Sequence, residues 1–131
     1  MIEYKINKPL QVNNIIEVFI SSGISRPTQD IDRIKSMFQN SNLIISAWEN
    51  EKLIGISRSL TDFSYCCYLS DLAVKKEYQK KGIGKRMIEI TKETIGDKVM
   101  LLLLSAPNAM EYYSKLGFEK VQNGFIIKRR L

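Results

Sequence analysis

Residues 2–8 (IEYKINK) alternate between apolar and polar positions, the period of a half-buried strand. From residue 11 the spacing changes: Val12, Ile15, Ile16 and Phe19 recur at helical intervals until Ser22-Gly23 stops them. Ile31, Ile34 and Phe38 share one face of a second predicted helix, from Thr28 to about Phe38, with Thr28 as its cap. The period then returns to that of strands. Residues 43–48 (LIISAW) and 52–60 (KLIGISRSL), either side of Glu49-Asn50-Glu51, predict an antiparallel hairpin, and 65–74 (YCCYLSDLAV) a further strand. A helix opens near Gly82, carries the stripe Ile83, Met87, Ile90 and Thr94, and ends at Gly96. Residues 99–104 (VMLLLL) are apolar on both faces, as expected of a covered strand lying parallel to 65–74 and reached through a right-handed crossover helix. A short helix from Asn108 to Leu116 and a hairpin turning at Asn123-Gly124 complete the chain.

The predicted order is therefore β-α-α-β-β-β-α-β-α-β-β, an α/β domain with helices on the faces of a mixed sheet. No repeat, low-complexity tract or linker divides the 131 residues, so a single domain spanning 1–131 is expected. No apolar run is long enough to cross a bilayer, and the first residues lack the order of a signal peptide, which predicts a cytoplasmic protein with no membrane partner. There is no histidine, which removes the commonest general base and zinc ligand together; no metal is expected. Cys66 and Cys67 are adjacent in a strand, point to opposite faces and read as free thiols.

The net charge of +6 attracts nucleic acid, anionic lipid or a phosphorylated cofactor without choosing among them, so placement decides. Much of it gathers at one loop, Gln79-Lys80-Lys81-Gly82-Ile83-Gly84-Lys85, with Lys75, Lys76 and Arg86 nearby. At a helix start the first N–H groups have no partner within the helix, and the dipole presents its positive end. Gly82 and Gly84 give a phosphate room to approach and permit unusual torsions. Taken alone they read equally well as turn punctuation. The third glycine of a dinucleotide fingerprint and the Gly-Lys-Ser/Thr of a P-loop are both missing.

Residues 69–88 (LSDLAVKKEYQKKGIGKRMI) resemble the core of the GNAT N-acetyltransferase superfamily, a strand ending in Val followed by Arg/Gln-x-x-Gly-x-Gly/Ala at a helix start. Residues 108–118 (NAMEYYSKLGF) are similar to the family's ending, an aromatic-Tyr pair followed by x-Lys-x-Gly-Phe. The resemblance implies a small acetyltransferase that takes acetyl-CoA as co-substrate and passes the acetyl group to an amine. It implies that Gln79, Lys80, Lys81, Gly82, Ile83, Gly84 and Lys85 bind the pyrophosphate. The main chain of Leu72, Ala73 and Val74 would meet the pantetheine arm, and the Leu72 N–H would polarise the thioester where the parallel strands 65–74 and 99–104 splay apart.

Tyr113 matches the family's general acid and would also touch the cofactor; a phenol of pKa about 10 suits a departing thiolate, although Tyr112, Tyr113 and Leu116 also read as packing residues of one helix. Tyr68 stands where some relatives keep a catalytic glutamate, which leaves the base open. Asp71 is the best carboxylate candidate, either for a cationic amine and its proton or as a strand-end residue held by a neighbour. Asp62, Tyr65, Ser70 and Arg26 are weaker candidates for the acceptor pocket, and Asn108 reads as a pantetheine contact or a helix cap. No nucleophile is paired with a base, which favours direct transfer. The rivals are a non-catalytic acyl-CoA sensor or partner-binding module on the same fold and a basic nucleic-acid binder. The second has no recognition helix or interleaved aromatics, so no nucleic-acid partner is expected. The chain is read as a monomer or homodimer.

Overall fold

The structure, a computed structural model, describes residues 1–131. It contains β1 (Glu3–Ile6), α1 (Val12–Ser22), α2 (Ile31–Gln39), β2 (Leu43–Glu49), β3 (Lys52–Thr61), β4 (Cys66–Val74), α3 (Ile83–Ile95), β5 (Met100–Leu103) and α4 (Met110–Lys115). The strands form one sheet in the order β1-β2-β3-β4-β5. The first four are antiparallel neighbours, and β4 and β5 are parallel, joined by α3 as the apolar run predicts.

Helices cover both faces of this sheet. Ile15, Val18 and Phe19 of α1 and Ile34 of α2 close over Leu53, Ile56 and Ala73 on one side. On the other side Ile83, Met87 and Ile90 of α3 pack with Leu43, Ile45, Ala47 and Val74. The sequence stripe of α3 is displaced at its end: Thr91 and Ile95 are buried, whereas Thr94 is exposed. In α2 the cap is Asp30 and not Thr28. Pro27 starts a turn closed by the Asp30 N–H donating to the Pro27 carbonyl at 3.0 Å, so the helix begins later and the Asp30 carboxylate accepts from the Arg33 N–H at 3.1 Å.

Halfway along β4 the sheet divides. Parallel pairing covers only Cys66–Leu69 against Met100–Leu103. On the β3 side the register shifts between Arg58, opposite Asp71, and Ser59, opposite Leu69, so Ser70 is an extra residue, a β-bulge. Beyond it β4 continues beside β3 alone, and a cleft opens between β4 and the chain after β5.

Two expectations for the C-terminal third do not hold. The hairpin at Asn123-Gly124 is not formed: no strand follows β5, and Phe125 and Ile127 are fully exposed. A two-residue hairpin turn requires positive φ at its central residues, and neither Asn123 nor Gly124 has it. Nor is β5 covered on both faces. Its outer edge has no neighbour, and Met100, Leu102 and Leu104 are exposed.

The close seat of α3 on the sheet depends on Gly55 of β3. A Cβ there would lie 3.3 Å from both the Ala47 Cβ and the Met87 Cε. Gly55→Ala is expected to lower stability by about 1 kcal/mol in urea unfolding, since overfilling this contact pushes α3 outward. An unchanged or higher midpoint would show slack under the helix.

Candidate active site

The loop after β4 folds as a short 3-10 turn, Lys76–Tyr78, and then delivers the start of α3 to the mouth of the cleft. Lys80 and Gly82 both adopt positive φ, 64° and 83°, which turns successive N–H groups toward a common side. Gly82 caps α3 without any side-chain hydrogen bond. The first bond of the helix is donated by Arg86 to the Gly82 carbonyl, and none of the backbone N–H groups from Lys80 to Lys85 has an acceptor in the chain. A row of unpaired donors at the positive end of a 13-residue helix has the chemistry to receive an anion and is the candidate site for one.

The lysines divide. Lys75 is buried and turns away to Glu17 of α1, 3.9 Å distant, while Arg86 is paired with Glu89 and Glu93. Lys76, Lys80, Lys81 and Lys85 have no ion pair, with Lys81 lying over the Tyr78 ring. Gln79 is exposed and its side chain lies along the chain, donating to the Val74 carbonyl at 2.9 Å and fastening the loop to the end of β4.

The open edge of β4 supplies the second half of the site. Lys75 donates its N–H to Ile54 on β3, and residues of an antiparallel strand alternate between bonding a given neighbour and facing away from it. Ala73 therefore turns its backbone groups to β3, and Leu72 and Val74 turn theirs to the cleft. Of the strand residues expected to meet a pantetheine arm, Ala73 is thus placed to do so only through its neighbours.

Gly84 serves a different purpose from the one its sequence context suggests. The space its missing Cβ would fill is taken by the Tyr112 hydroxyl, 2.8 Å from that point, beside the Leu72 side chain. Tyr112, the lesser member of the aromatic pair in the sequence, is therefore the hydroxyl that touches the helix start. Tyr113, one residue and 100° further round α4, meets Tyr112 and Phe118 edge-on at centroid distances of 5.2 and 5.6 Å. Burial raises the pKa of both phenols; at Tyr113 the Tyr112 ring adds to the rise and the Arg26 charge opposes it. Asn108 is exposed in the turn before α4 and makes no capping bond.

Asp71 is not a free carboxylate. It is fully buried, with one oxygen accepting from Arg26 Nε at 2.6 Å and the other from Arg58 Nε at 2.5 Å. Arg26 also donates to the Ser70 carbonyl and Arg58 to the Ser70 and Ser41 hydroxyls. Both oxygens are thereby committed, and the cluster clamps the bulge. Arg26, a weak acceptor-pocket candidate in the sequence, is a structural partner that sequence spacing across 45 residues gives no means to find. Asp62 likewise closes its own turn, accepting from the Ser64, Tyr65 and Cys66 N–H groups, which lower its pKa to about 2. Tyr65, in the turn between β3 and β4, and Tyr68, in the stretch of β4 paired to β5, are exposed and lie before the division of the sheet, and Cys66 and Cys67 are both free. No group of His, Cys, Asp and Glu residues is arranged to hold a metal ion.

A sheet that splits beside a helix start with unpaired N–H groups invites comparison with known proteins. The family described as Acetyltransferase (GNAT) domain matches residues 11–128. The chain belongs to the GNAT acetyltransferase family. This GNAT chain is 27% identical over 125 residues to an uncharacterized N-acetyltransferase, ycf52, of Pyropia yezoensis, covering 90% of the chain and 70% of that protein. It spans less than half the length of the acetyltransferases it matches in Glycine max and Arabidopsis thaliana. The GNAT fold agrees with that of a probable acetyltransferase, SA2161, of meticillin-resistant Staphylococcus aureus, with a TM-score of 0.83 at 22% identity over 98% of this chain and 100% of that one. It agrees also with the aminoglycoside N-acetyltransferase AAC(6')-Iy in complex with CoA, with a TM-score of 0.75 at 12% identity over 100% of this chain and 96% of that one.

The clamp on the bulge is testable through stability. Asp71→Asn leaves two guanidinium groups facing a neutral amide and is expected to cost about 3 kcal/mol in urea unfolding. A loss below about 0.5 kcal/mol, within the range of ordinary surface substitutions, would show that the cluster does not hold the bulge.

Proposed function

We propose that this GNAT domain transfers an acetyl group from acetyl-CoA to a primary amine by direct attack within a ternary complex. One observation carries the reading: the unpaired N–H row from Lys80 to Lys85 opens onto the same cleft as the outward-facing backbone of Leu72 and Val74. The row suits a pyrophosphate, and the open strand edge suits an amide-bearing arm that lies along it as a short extra strand. Residues fit the co-substrate accordingly: Gln79 to Lys85 at the phosphates, Leu72 to Val74 and Asn108 along the arm, and Tyr113 at the thioester.

The reaction needs a polarised carbonyl, a neutral amine and a proton for the thiolate. The Leu72 N–H stabilises the oxygen as the amine nitrogen bonds to the carbonyl carbon. The C–S bond then breaks, and the thiolate takes the Tyr113 proton. The nitrogen releases its own proton to water, because Asp71 is committed to its arginines and Asp62 to its turn. Asp71 belongs in this scheme as a positioning residue that holds the bulge. Unpaired Cys66 and Cys67 suit a reducing compartment, and we place the reaction in the cytoplasm.

A coenzyme A release assay over a broad amine panel tests the proposal. Tyr113→Phe is expected to lower kcat by about 100-fold or more with little change in KM, the usual contribution of a general acid. Tyr112→Phe is expected to act mainly on KM for acetyl-CoA, through the helix start it touches. If the kcat loss falls on Tyr112→Phe instead, the acid is Tyr112. Because water takes the amine proton, activity rises with pH as the amine itself becomes neutral. Burial keeps Tyr113 protonated above its ordinary value, so the alkaline fall lies above about pH 10 and is absent from Tyr113→Phe. Binding of acetyl-CoA without turnover of any amine would replace this reading with a non-catalytic acyl-CoA-binding module.

A further inference from the structure

The cluster at the bulge holds two cations and one anion, and the surplus charge sits on one particular side chain. Asp71 supplies a single negative charge to two guanidinium groups, and neither arginine is paired with any other carboxylate. Arg58 is nearly sealed from solvent; its Nε donates to Asp71 and its terminal nitrogens to the Ser41 and Ser70 hydroxyls, which already ties β3 to the bulge. Arg26 differs. It arrives from the loop between α1 and α2, and its side chain is 26% exposed where those of Arg58 and Asp71 are 9% and 0%.

The exposed part of Arg26 belongs to the cleft. Its Nη2 donates to the Ser70 carbonyl at 2.7 Å, at the residue where β4 parts from β5. Its charge reaches Tyr113 on α4, opposing the rise that burial causes in the phenol's pKa. Nη1 and Nη2 each donate to one backbone carbonyl, of Ser25 and Ser70, and each carries a second N–H for which the chain supplies no acceptor. A planar guanidinium with N–H groups to spare and a charge not balanced by its neighbours suits a carboxylate above all other partners. The Leu72 N–H lies two residues along β4 from Ser70, about 7 Å at the rise of a strand.

On the transfer reaction proposed above, we propose that Arg26 selects the acceptor, and that the acceptor is a small amine carrying a carboxylate a few bonds from its nitrogen, the amino-acid class. The carboxylate docks on Arg26 and brings the cluster to two positive and two negative charges. The short distance to Leu72 then sets the nitrogen beside the thioester carbonyl. The positive charge also disfavours the ammonium form of that nitrogen, which must be neutral to attack. A purely cationic acceptor such as a polyamine finds the opposite of what it needs, since Asp71 is committed to its arginines and Asp62 to its turn.

The test compares free amino acids with their own carboxamides in the coenzyme A release assay, so that the side chain is kept and only the negative charge is removed. Wild type is expected to favour the acid by about tenfold or more in kcat/KM, the worth of a hydrogen-bonded charge pair. Arg26→Gln is expected to bring the ratio to about one, and Arg26→Lys, which keeps the charge and loses the fork, to an intermediate value. A wild-type ratio near one overturns the assignment. So does an Arg26→Gln in which both rates fall and the ratio stays, because loss of the clamp alone does that; should Arg26→Gln fail to fold, an unchanged ratio in Arg26→Lys has the same force. The same pairs are titrated into wild type saturated with coenzyme A and followed at the Arg26 Nε–H resonance. Acids that move this resonance while amides do not, with no turnover of either, remove the transfer reaction and leave the carboxylate site standing. Amides that move it as far as acids overturn the site, whatever the turnover.

Discussion

A single extra residue, Ser70, governs the layout of this GNAT domain. Up to Leu69, β4 is held on both edges; past the bulge it is held only by β3. That division creates the cleft and turns Leu72 and Val74 outward into it. It persists because Asp71, the next residue, is gripped by Arg26 from the loop after α1 and by Arg58 from β3. Two cations and one anion out of water are costly unless their hydrogen bonds are satisfied, and here Ser25, Ser41 and Ser70 take up most of the remaining donors. Because Arg26 and Arg58 reach Asp71 from different parts of the chain, the strand split is fixed by tertiary structure and not by local propensity.

The chemistry gathers around that split for electrostatic reasons. An anion finds unpaired amides at the start of α3 and lysines whose charges are not neutralised by neighbours. In the proposed reading, the amide bonds of a pantetheine arm meet the open edge of β4. The phenols on α4 are neutral near pH 7 in any case, and burial raises their pKa further. Tyr112 complicates the picture in a productive way. Its hydroxyl occupies the hollow left by Gly84, so one glycine of the loop, Gly82, serves backbone torsion, and the other serves contact between α4 and α3.

Much of this was legible from the amino-acid order. Periods of two and of three to four residues located all five strands and all four helices, and the central ones, β2 to β4 and α1 to α3, bury one face or more around a common sheet, which the pattern records. The helix start at Gln79–Lys85 was legible because its glycines and the helical period that follows mark it in the sequence. The fate of Asp71 was not, since its partners lie 45 and 13 residues away and only the fold joins them. Nor was the difference between Tyr112 and Tyr113, which depends on how α4 is rotated against the cleft. The Asn123-Gly124 turn failed for a third reason. A turn signal states what a segment can do when two strands are ready to pair, and here the flanking segments stay apart in the single chain.

The account rests on those unpaired amides receiving a diphosphate while the β4 edge receives the arm attached to it. The most direct measurement is a titration of isotope-labelled protein with coenzyme A, followed through backbone amide resonances. The account predicts that the largest shifts fall on Lys80–Lys85 and, at the same ligand concentration, on Leu72 and Val74, with Ala73 moving less. Saturating coenzyme A that leaves Lys80–Lys85 unmoved, or that shifts residues on another face of the domain instead, would contradict it.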